Sequence, residues 1–492
     1  MKAKVCSIVL IAAMLLCLCV SCSESNADTS EEAQKSEVVS ESGTSAADES
    51  EAEESSEDEF YDGLPEIKYD RDFTILQRTE YKYEFAEDDQ ASEKVNSLIL
   101  ERNRLVENRF GVKIKTIEQD GAWGVHEDFM NYVRNTVNGA TADYQLIAGY
   151  AAITPSLVYD GLFVNWYDVD HINFDKKWWS QDFISEMSIN NNLYMITGDI
   201  SITMWEAMYC MFFNKDLATA NNLDLYNMVR SGDWTFDAMH QIIKDTYIPV
   251  DDVNSRVYGY CTAFTTQVDV YQDAFDIPVT EKGGDGRPYF TINQEKTQNA
   301  LDMINSLVNG TDYSKFFSVG AEECKVFFGQ GKSLFSPLPL GYGTDLQAYD
   351  VNYGILPLPK YNKDQEMYHS SCSDFYSVFA IPLTAADDTD FIGVITEALC
   401  VESSRSVIPE YYNLVLKTRN TSDEDSAEMI ETVRAGLLCN FGYLYSSTLG
   451  WPGHQLNICV NNKTTSFSTN WQSKESMFEQ NLEHELEAYF DD

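Results

Sequence analysis

The chain has 492 residues, in which 34 Lys and Arg face 79 Asp and Glu, a formal net charge of −45. That length exceeds what one core usually supports, so two lobes or domains are expected, and a composition 44% hydrophobic and 13% aromatic can fill both. The charge argues against nucleic acid, whose phosphates are held by Lys and Arg, and it repels anionic membrane surfaces, so any membrane attachment must have another source.

That source is expected at the N-terminus. Lys2 and Lys4 precede an apolar run over residues 5–20. The run is shorter than the roughly 20 residues a spanning helix needs and reads as a secretory signal. It ends Leu18-Cys19-Val20-Ser21-Cys22, which resembles a bacterial lipobox with Cys22 as the lipidated residue, although Cys19 stands where an aliphatic residue is usual. Residues 1–22 are therefore expected to be a lipoprotein signal peptide. Residues 23–59 carry fourteen acids against Lys35 alone. With almost no large apolar side chain to bury, this stretch is expected to be a disordered, self-repelling tether.

In the body, Phe73 opens a short strand, and Ser92 can cap a helix whose Val95, Leu98, Ile99, Leu105 and Val106 share a face before Gly111 stops it. A strand over residues 112–117 follows. This strand, helix, strand order predicts a parallel sheet, and a helix over 127–138 with a strand over 144–148 repeats it. Ligands of such sheets gather beyond the carboxyl ends of the strands, which directs attention to the loops at 119–125, with Trp123, and 149–154, opening with Tyr150. Residues 193–217 read as a strand broken at Gly198-Asp199 and resumed over 208–213, apolar at both ends and polar at the kink. Such a segment suits a passage from one core to another. Further helices are expected after Gly232-Asp233-Trp234-Thr235, and over 295–308, 322–328, 389–401, 423–435 and 474–488. Tyr342 lies in a loop after a strand at 333–336.

Seven cysteines lie in the body, an odd number without C-x-x-C spacing, so neither a disulfide framework nor a zinc site is expected. Gly331-Lys332-Ser333 is not a P-loop, since Val326 occupies the place of its first glycine, and His484-Glu485 lacks a second histidine because Ala488 stands there. No G-x-S-x-G elbow occurs. Carboxylate pairs are uninformative in so acidic a chain.

Several segments recur in a characteristic order: Gly198-Asp199, Phe213-Asn214-Lys215-Asp216-Leu217, Gly232-Asp233-Trp234-Thr235, Gly331-Lys332-Ser333-Leu334-Phe335, Tyr353-Gly354-Ile355-Leu356-Pro357-Leu358-Pro359-Lys360, Ser377-Val378-Phe379-Ala380-Ile381-Pro382 and Val407-Ile408-Pro409-Glu410-Tyr411-Tyr412. With the lipobox and acidic leash, they resemble the extracellular solute-binding proteins of the family-1 type, sugar-type receptors of ABC importers. The resemblance implies an α/β, two-lobed periplasmic-binding-protein-like fold of type II. One lobe would comprise residues 60–200 plus 379–410 and the other 208–370 plus 415–492. A multi-crossing hinge near 199–207, 368–378 and 407–416 would join them.

A sugar cleft needs aromatic faces for the C–H face of a pyranose and acceptors for its hydroxyls. Trp123, Tyr150, Trp205, Tyr342 and Tyr376 are the candidate faces, with Glu206 and Asp374 as acceptors; packing is the alternative role for each aromatic and solvation for each acid. Trp178, Trp179 and Trp234 are assigned to packing. The resemblance implies a non-enzymatic, monomeric lipoprotein on the outer face of the cell membrane, with a small solute and ABC permease subunits as partners. No catalytic residue, metal or cofactor is assigned. The alternatives are a surface carbohydrate-binding or sensor receptor without import, and a secreted glycoside-active enzyme.

Overall fold

The structure, a computed structural model, describes residues 60–88, 91–252, 255–264, 266–318, 320–416 and 424–490. The expected signal peptide, Cys22 and tether lie outside the described residues.

The first strand, helix, strand unit forms where the pattern placed it. Arg71–Arg78 pairs in parallel with Val112–Gln119, from Arg71↔Val112 to Arg78↔Gln119. The helix Glu93–Phe110 makes the crossover: Ser92 accepts a hydrogen bond from the Val95 N–H, and Gly111 leaves the helix at φ 62°, a left-handed conformation that glycine adopts without strain. Leu146–Tyr150 adds a third parallel strand after the helix His126–Asn138. It starts two residues later than expected, with the Gln145 N–H before it already donating to the Thr74 carbonyl at 2.9 Å, while the Tyr144 hydroxyl meets Thr136 Oγ1 at 2.8 Å on that helix. The antiparallel strand Ser377–Ala380 completes this sheet on the Leu146–Tyr150 side.

The second sheet has the order Tyr353–Leu356, Tyr209–Asn214, Ser333–Pro339, Tyr258–Ala263, Ser314–Phe317. Its first two pairings are antiparallel and its last two parallel. Tyr209, Met211 and Phe213 enter one apolar cluster and Cys210 and Phe212 another, as alternation along a strand buried on both faces requires.

Between the sheets the expectation of a kinked strand is corrected. Residues 193–198 meet the first sheet through an isolated bridge, Ile196↔Phe379, and the Thr197 hydroxyl, which donates to the Ser377 carbonyl at 3.0 Å, and Ile202–Ala207 is a short helix. Ser201 caps this helix, accepting from the Met204 N–H at 3.3 Å, and a distant carboxylate holds the cap in place. Glu84, 1% exposed, accepts from the Ser201 hydroxyl at 3.1 Å, the Thr203 N–H at 3.2 Å and the Thr203 hydroxyl at 2.8 Å. Negative charge at a helix N-terminus is stabilising, and it overrides the β propensity of this segment. The passage between cores stands: Met204 and Ala207 belong to the first cluster, Tyr209 and Met211 to the second.

Other crossings lie beside it. Met208 bridges Cys372, and Ser370 bridges Leu437, so three passages run side by side. Another lies between Val401 of the first core and Val407 of the second lobe, through the π-helical turn Ser403–Val407; Ile408–Leu416 is already a helix of the second lobe. The C-terminal part differs from the division expected. Phe441, Leu444, Tyr445, Leu449, Leu482, Leu486 and Tyr489 lie in the first core, although 415–492 was expected in the second lobe. Asn190 Nδ2 donates to the Tyr489 carbonyl at 2.7 Å and Tyr445 and Tyr489 join their hydroxyls, fixing the C-terminal end of the last helix, Glu475–Phe490, on the first lobe, while Phe478 near its start lies in the second core.

Candidate functional site

A cleft of about 530 Å³ opens where the first sheet's strands end. Tyr150 is the last residue of its strand, and Trp123 stands in the loop that follows Val112–Gln119. Trp123 is 52% exposed, with its ring edge-to-face to Tyr150 at 6.4 Å and to Trp451 at 5.7 Å. Half-bare indole in a concavity presents an apolar face to whatever enters. Tyr150 is held from behind by the Arg78 guanidinium, 5.0 Å from its ring centre, and burial pushes its hydroxyl pKa up.

From the opposite side the cleft is closed by Trp451, His454 and Asn457, with Tyr209, Tyr342, Asp374 and Phe375. Trp451 sits at φ 73° directly before Pro452, where an L residue is ordinarily extended. The turn is clamped: the Trp451 N–H donates to the Ser446 carbonyl at 2.6 Å, and the Gly453 N–H to the Ser446 hydroxyl at 2.7 Å. Backbone strain of this kind is held where a side chain must be aimed. Asp269, 2% exposed, fixes the next two groups, meeting His454 Nδ1 and accepting from Asn457 Nδ2, both at 2.6 Å through Oδ2. Burial works against a charged His454, but the Asp269 carboxylate and its hydrogen bond, aided by Asp374, outweigh it and raise the imidazole pKa. Asp374 is itself raised by burial, against the opposing pull of His454.

Four of the residues singled out from sequence, Trp123, Tyr150, Tyr342 and Asp374, line this one cleft. Tyr376 lies beside it: 6% exposed, it lines a small adjoining void that shares Asp374, Trp451 and His454 with the cleft, and its carbonyl accepts from the Ala151 N–H at 3.0 Å. Tyr342 and Phe375 form a neck to a side cavity of about 350 Å³ that contains Glu206. Burial pushes the Glu206 carboxyl up to about 8, and the Tyr83 hydroxyl donates to it. Trp205 is the residue the structure does not bring to the others. It is 5% exposed, packs edge-on to Tyr412 at 5.8 Å, and lines a separate cavity with Arg434. Consecutive residues of a helix point about 100° apart, so Trp205 and Glu206 of Ile202–Ala207 face different spaces.

Trp451, His454 and Asn457 were not singled out. A signal exists: Gly450-Trp451-Pro452-Gly453-His454 is an aromatic embedded in turn-forming residues between two helices. Among the described residues no group of His, Cys, Asp and Glu is arranged to hold a metal ion, and no helix is long and apolar enough to cross a membrane.

No family model matches the sequence, and no curated protein is similar to it by sequence. Solved structures are similar in fold. A cyclo/maltodextrin-binding protein complexed with maltotetraose superposes at a TM-score of 0.55 and 12% identity, over 84% of this chain and 97% of that one. UgpB from Mycobacterium tuberculosis, in complex with glycerophosphocholine, gives 0.54 and 11%, over 84% and 98%. An ABC substrate-binding protein from Listeria monocytogenes, in complex with cycloalternan, gives 0.50 and 12%, over 85% and 98%. The chain thus has the two-lobed α/β fold of ABC solute-binding proteins, with its candidate site in the cleft.

Proposed function

We propose that this protein is an extracytoplasmic receptor, anchored by lipid at Cys22, that captures a sugar or oligosaccharide in the cleft and delivers it to an ABC-type permease without chemical turnover. The observation that carries the reading is the pairing of exposed Trp123 with Trp451, held in a strained turn, above a polar floor of Asp374, His454 and Asn457. Aromatic faces cover the apolar side of a pyranose, and the carboxylate, imidazole and amide meet its hydroxyls. The cleft volume falls within the range of small-molecule sites. Proteins of the same fold hold maltotetraose, maltose, tagatose and mannitol, which supports a carbohydrate. In this reading Tyr150 and Tyr342 frame the sugar, Tyr376 supports the floor, and Glu206 serves a ligand long enough to pass the Tyr342 neck. Trp205 has no part in the cleft.

The test is calorimetric titration of the chain lacking residues 1–22 with maltotetraose, maltose, tagatose and mannitol, and with amino acids as the counter-panel. Saturable binding of a carbohydrate, with the carbohydrate recovered intact, is expected. Saturation by amino acids alone, or release of a shortened sugar, overturns the reading.

A further inference from the structure

The lobe built on the second sheet encloses two cysteines that take no part in the cleft. The strand Tyr258–Ala263 presents Cys261 and Ala263 to one apolar cluster, and the helix Ala321–Gly329 presents Cys324 and Phe328, one turn apart, to the same cluster. Both cysteines are 0% exposed. Strand and helix thus bring together two thiols that lie far apart in the chain. Cys261 Sγ donates to the Cys324 carbonyl oxygen at 3.9 Å, and the two thiol side chains meet each other. Three other cysteines turn elsewhere: Cys210 Sγ donates to the Met208 carbonyl, Cys372 Sγ to that of Met204 and Cys400 Sγ to that of Trp178.

The two thiols are chemically unlike. Burial works against a Cys261 thiolate, but the Cys324 thiol and the Ser336 and Ser333 hydroxyls outweigh it and lower its pKa. Burial pushes the Cys324 thiol up, and so does its contact with Cys261, against the opposing pull of the Gln267 side chain. A thiolate is the attacking species in disulfide exchange, and a second thiol beside it completes the exchange. Disulfides persist in oxidising compartments, a condition that the proposed extracytoplasmic location supplies.

We infer that Cys261 and Cys324 are a disulfide-forming pair, closed by exchange with a disulfide oxidant as the chain folds, and that the bond staples the helix Ala321–Gly329 to the strand Tyr258–Ala263. The Cys261 sulfur, as thiolate, attacks one sulfur of the oxidant and expels the other. Cys324 then loses its proton, attacks the Cys261 sulfur and expels the second half of the oxidant. Two protein thiols are oxidised, and the oxidant's disulfide is reduced to two thiols that take up the released protons. Because both side chains are buried in the folded lobe, the bond forms before the helix is seated. The staple lies behind the second lobe's wall of the cleft: Ala321, first in the helix, and Phe264, just past the strand, line the cleft, and Lys325 of the same helix lies 4.7 Å over the Tyr342 ring and pairs with Asp345 at 2.6 Å. The assignment does not depend on what the cleft binds.

The test uses the chain lacking residues 1–22, unfolded and reduced in urea, then refolded either with a mixture of oxidised and reduced glutathione or with dithiothreitol. After alkylation in denaturant, mass spectrometry is expected to find fewer free thiols in the glutathione sample, and a peptide map run without reductant to join Cys261 to Cys324. The bridged protein should melt several degrees above the reduced one, because the bond constrains the unfolded chain, and amide exchange over residues 321–329 should slow severalfold. Cys324→Ala, treated alike, should form no bridge at Cys261 and show neither change, whereas Cys372→Ala should bridge as the wild type does. The inference is overturned if no thiols are lost, if the map joins Cys261 or Cys324 to another cysteine, or if Cys261 stops at a mixed disulfide with glutathione. It is overturned equally if the bridged and reduced proteins melt alike.

Discussion

Glu397 gives the sharpest test of how this structure distributes charge. It is 3% exposed and accepts from both neighbouring indoles, Trp178 Nε1 at 2.9 Å through Oε1 and Trp179 Nε1 at 2.9 Å through Oε2, with the Asn173 N–H at 3.4 Å. Burial pushes its carboxyl up from 4.5 to about 7, although the two indole hydrogen bonds pull the other way. A group whose folded pKa lies above its unfolded one holds a proton in the folded state that the unfolded chain has lost. Its contribution to stability is therefore full below about pH 4.5 and declines as pH rises towards 7. At about 1.36 kcal/mol per pH unit, the decline over that window is on the order of 3 kcal/mol. Glu397→Gln cannot titrate, so this slope should vanish. The amide has one acceptor oxygen where the carboxyl offered two, which leaves one buried indole N–H facing an NH2 group at a cost of about 1–3 kcal/mol. The variant should be the less stable protein at pH 5 and should draw level with the wild type by pH 8. Urea denaturation of both proteins at one-unit pH intervals gives the difference directly, because every other titrating group cancels. Parallel stability curves across that range would refute the reasoning.

Three other outcomes follow from the geometry. Removing either indole from the cleft, by Trp123→Ala or Trp451→Ala, should weaken carbohydrate binding by about 1–3 kcal/mol in calorimetry, judged by what an aromatic face contributes, and leave the melting temperature within a few degrees for exposed Trp123. Asp269→Asn removes the charge and the hydrogen bond that raise the His454 imidazole pKa, so that pKa, followed by NMR, should fall. In the wild type, the His454 contribution is present below the unfolded value near 6.5 and is lost as pH rises through the higher folded value; in the variant burial becomes the dominant influence, so that pH dependence should reverse. Gly436→Ala places a Cβ 1.9 Å from the Tyr368 carbonyl oxygen, where two crossings run side by side, and should destabilise the protein by about 1–3 kcal/mol in thermal unfolding.

Much of the architecture was legible from residue pattern. The Ser92 cap, the apolar face of its helix and Gly111 are local devices, and local devices survive folding unchanged, which is why the first strand, helix, strand unit appears where periodicity put it. The cleft positions of Trp123 and Tyr150 followed from a topological rule that needs only the ends of parallel strands. Sequence alone did not show the helix Ile202–Ala207, because the carboxylate that fixes its Ser201 cap belongs to Glu84, more than a hundred residues away in the chain. It did not show that Trp205 and Glu206 part company, since their directions depend on that helix. Nor did it place Trp451, His454 and Asn457 at the cleft, because they reach it only when the chain returns between the lobes after Leu449. What the sequence determined by itself is the α/β units, the presence of two cores and the aromatic character of the loops. Which core each C-terminal helix joins, and which side chains share a cavity, was decided by long-range contacts. Periodicity reports the face a helix buries; it carries no information about the surface that receives it.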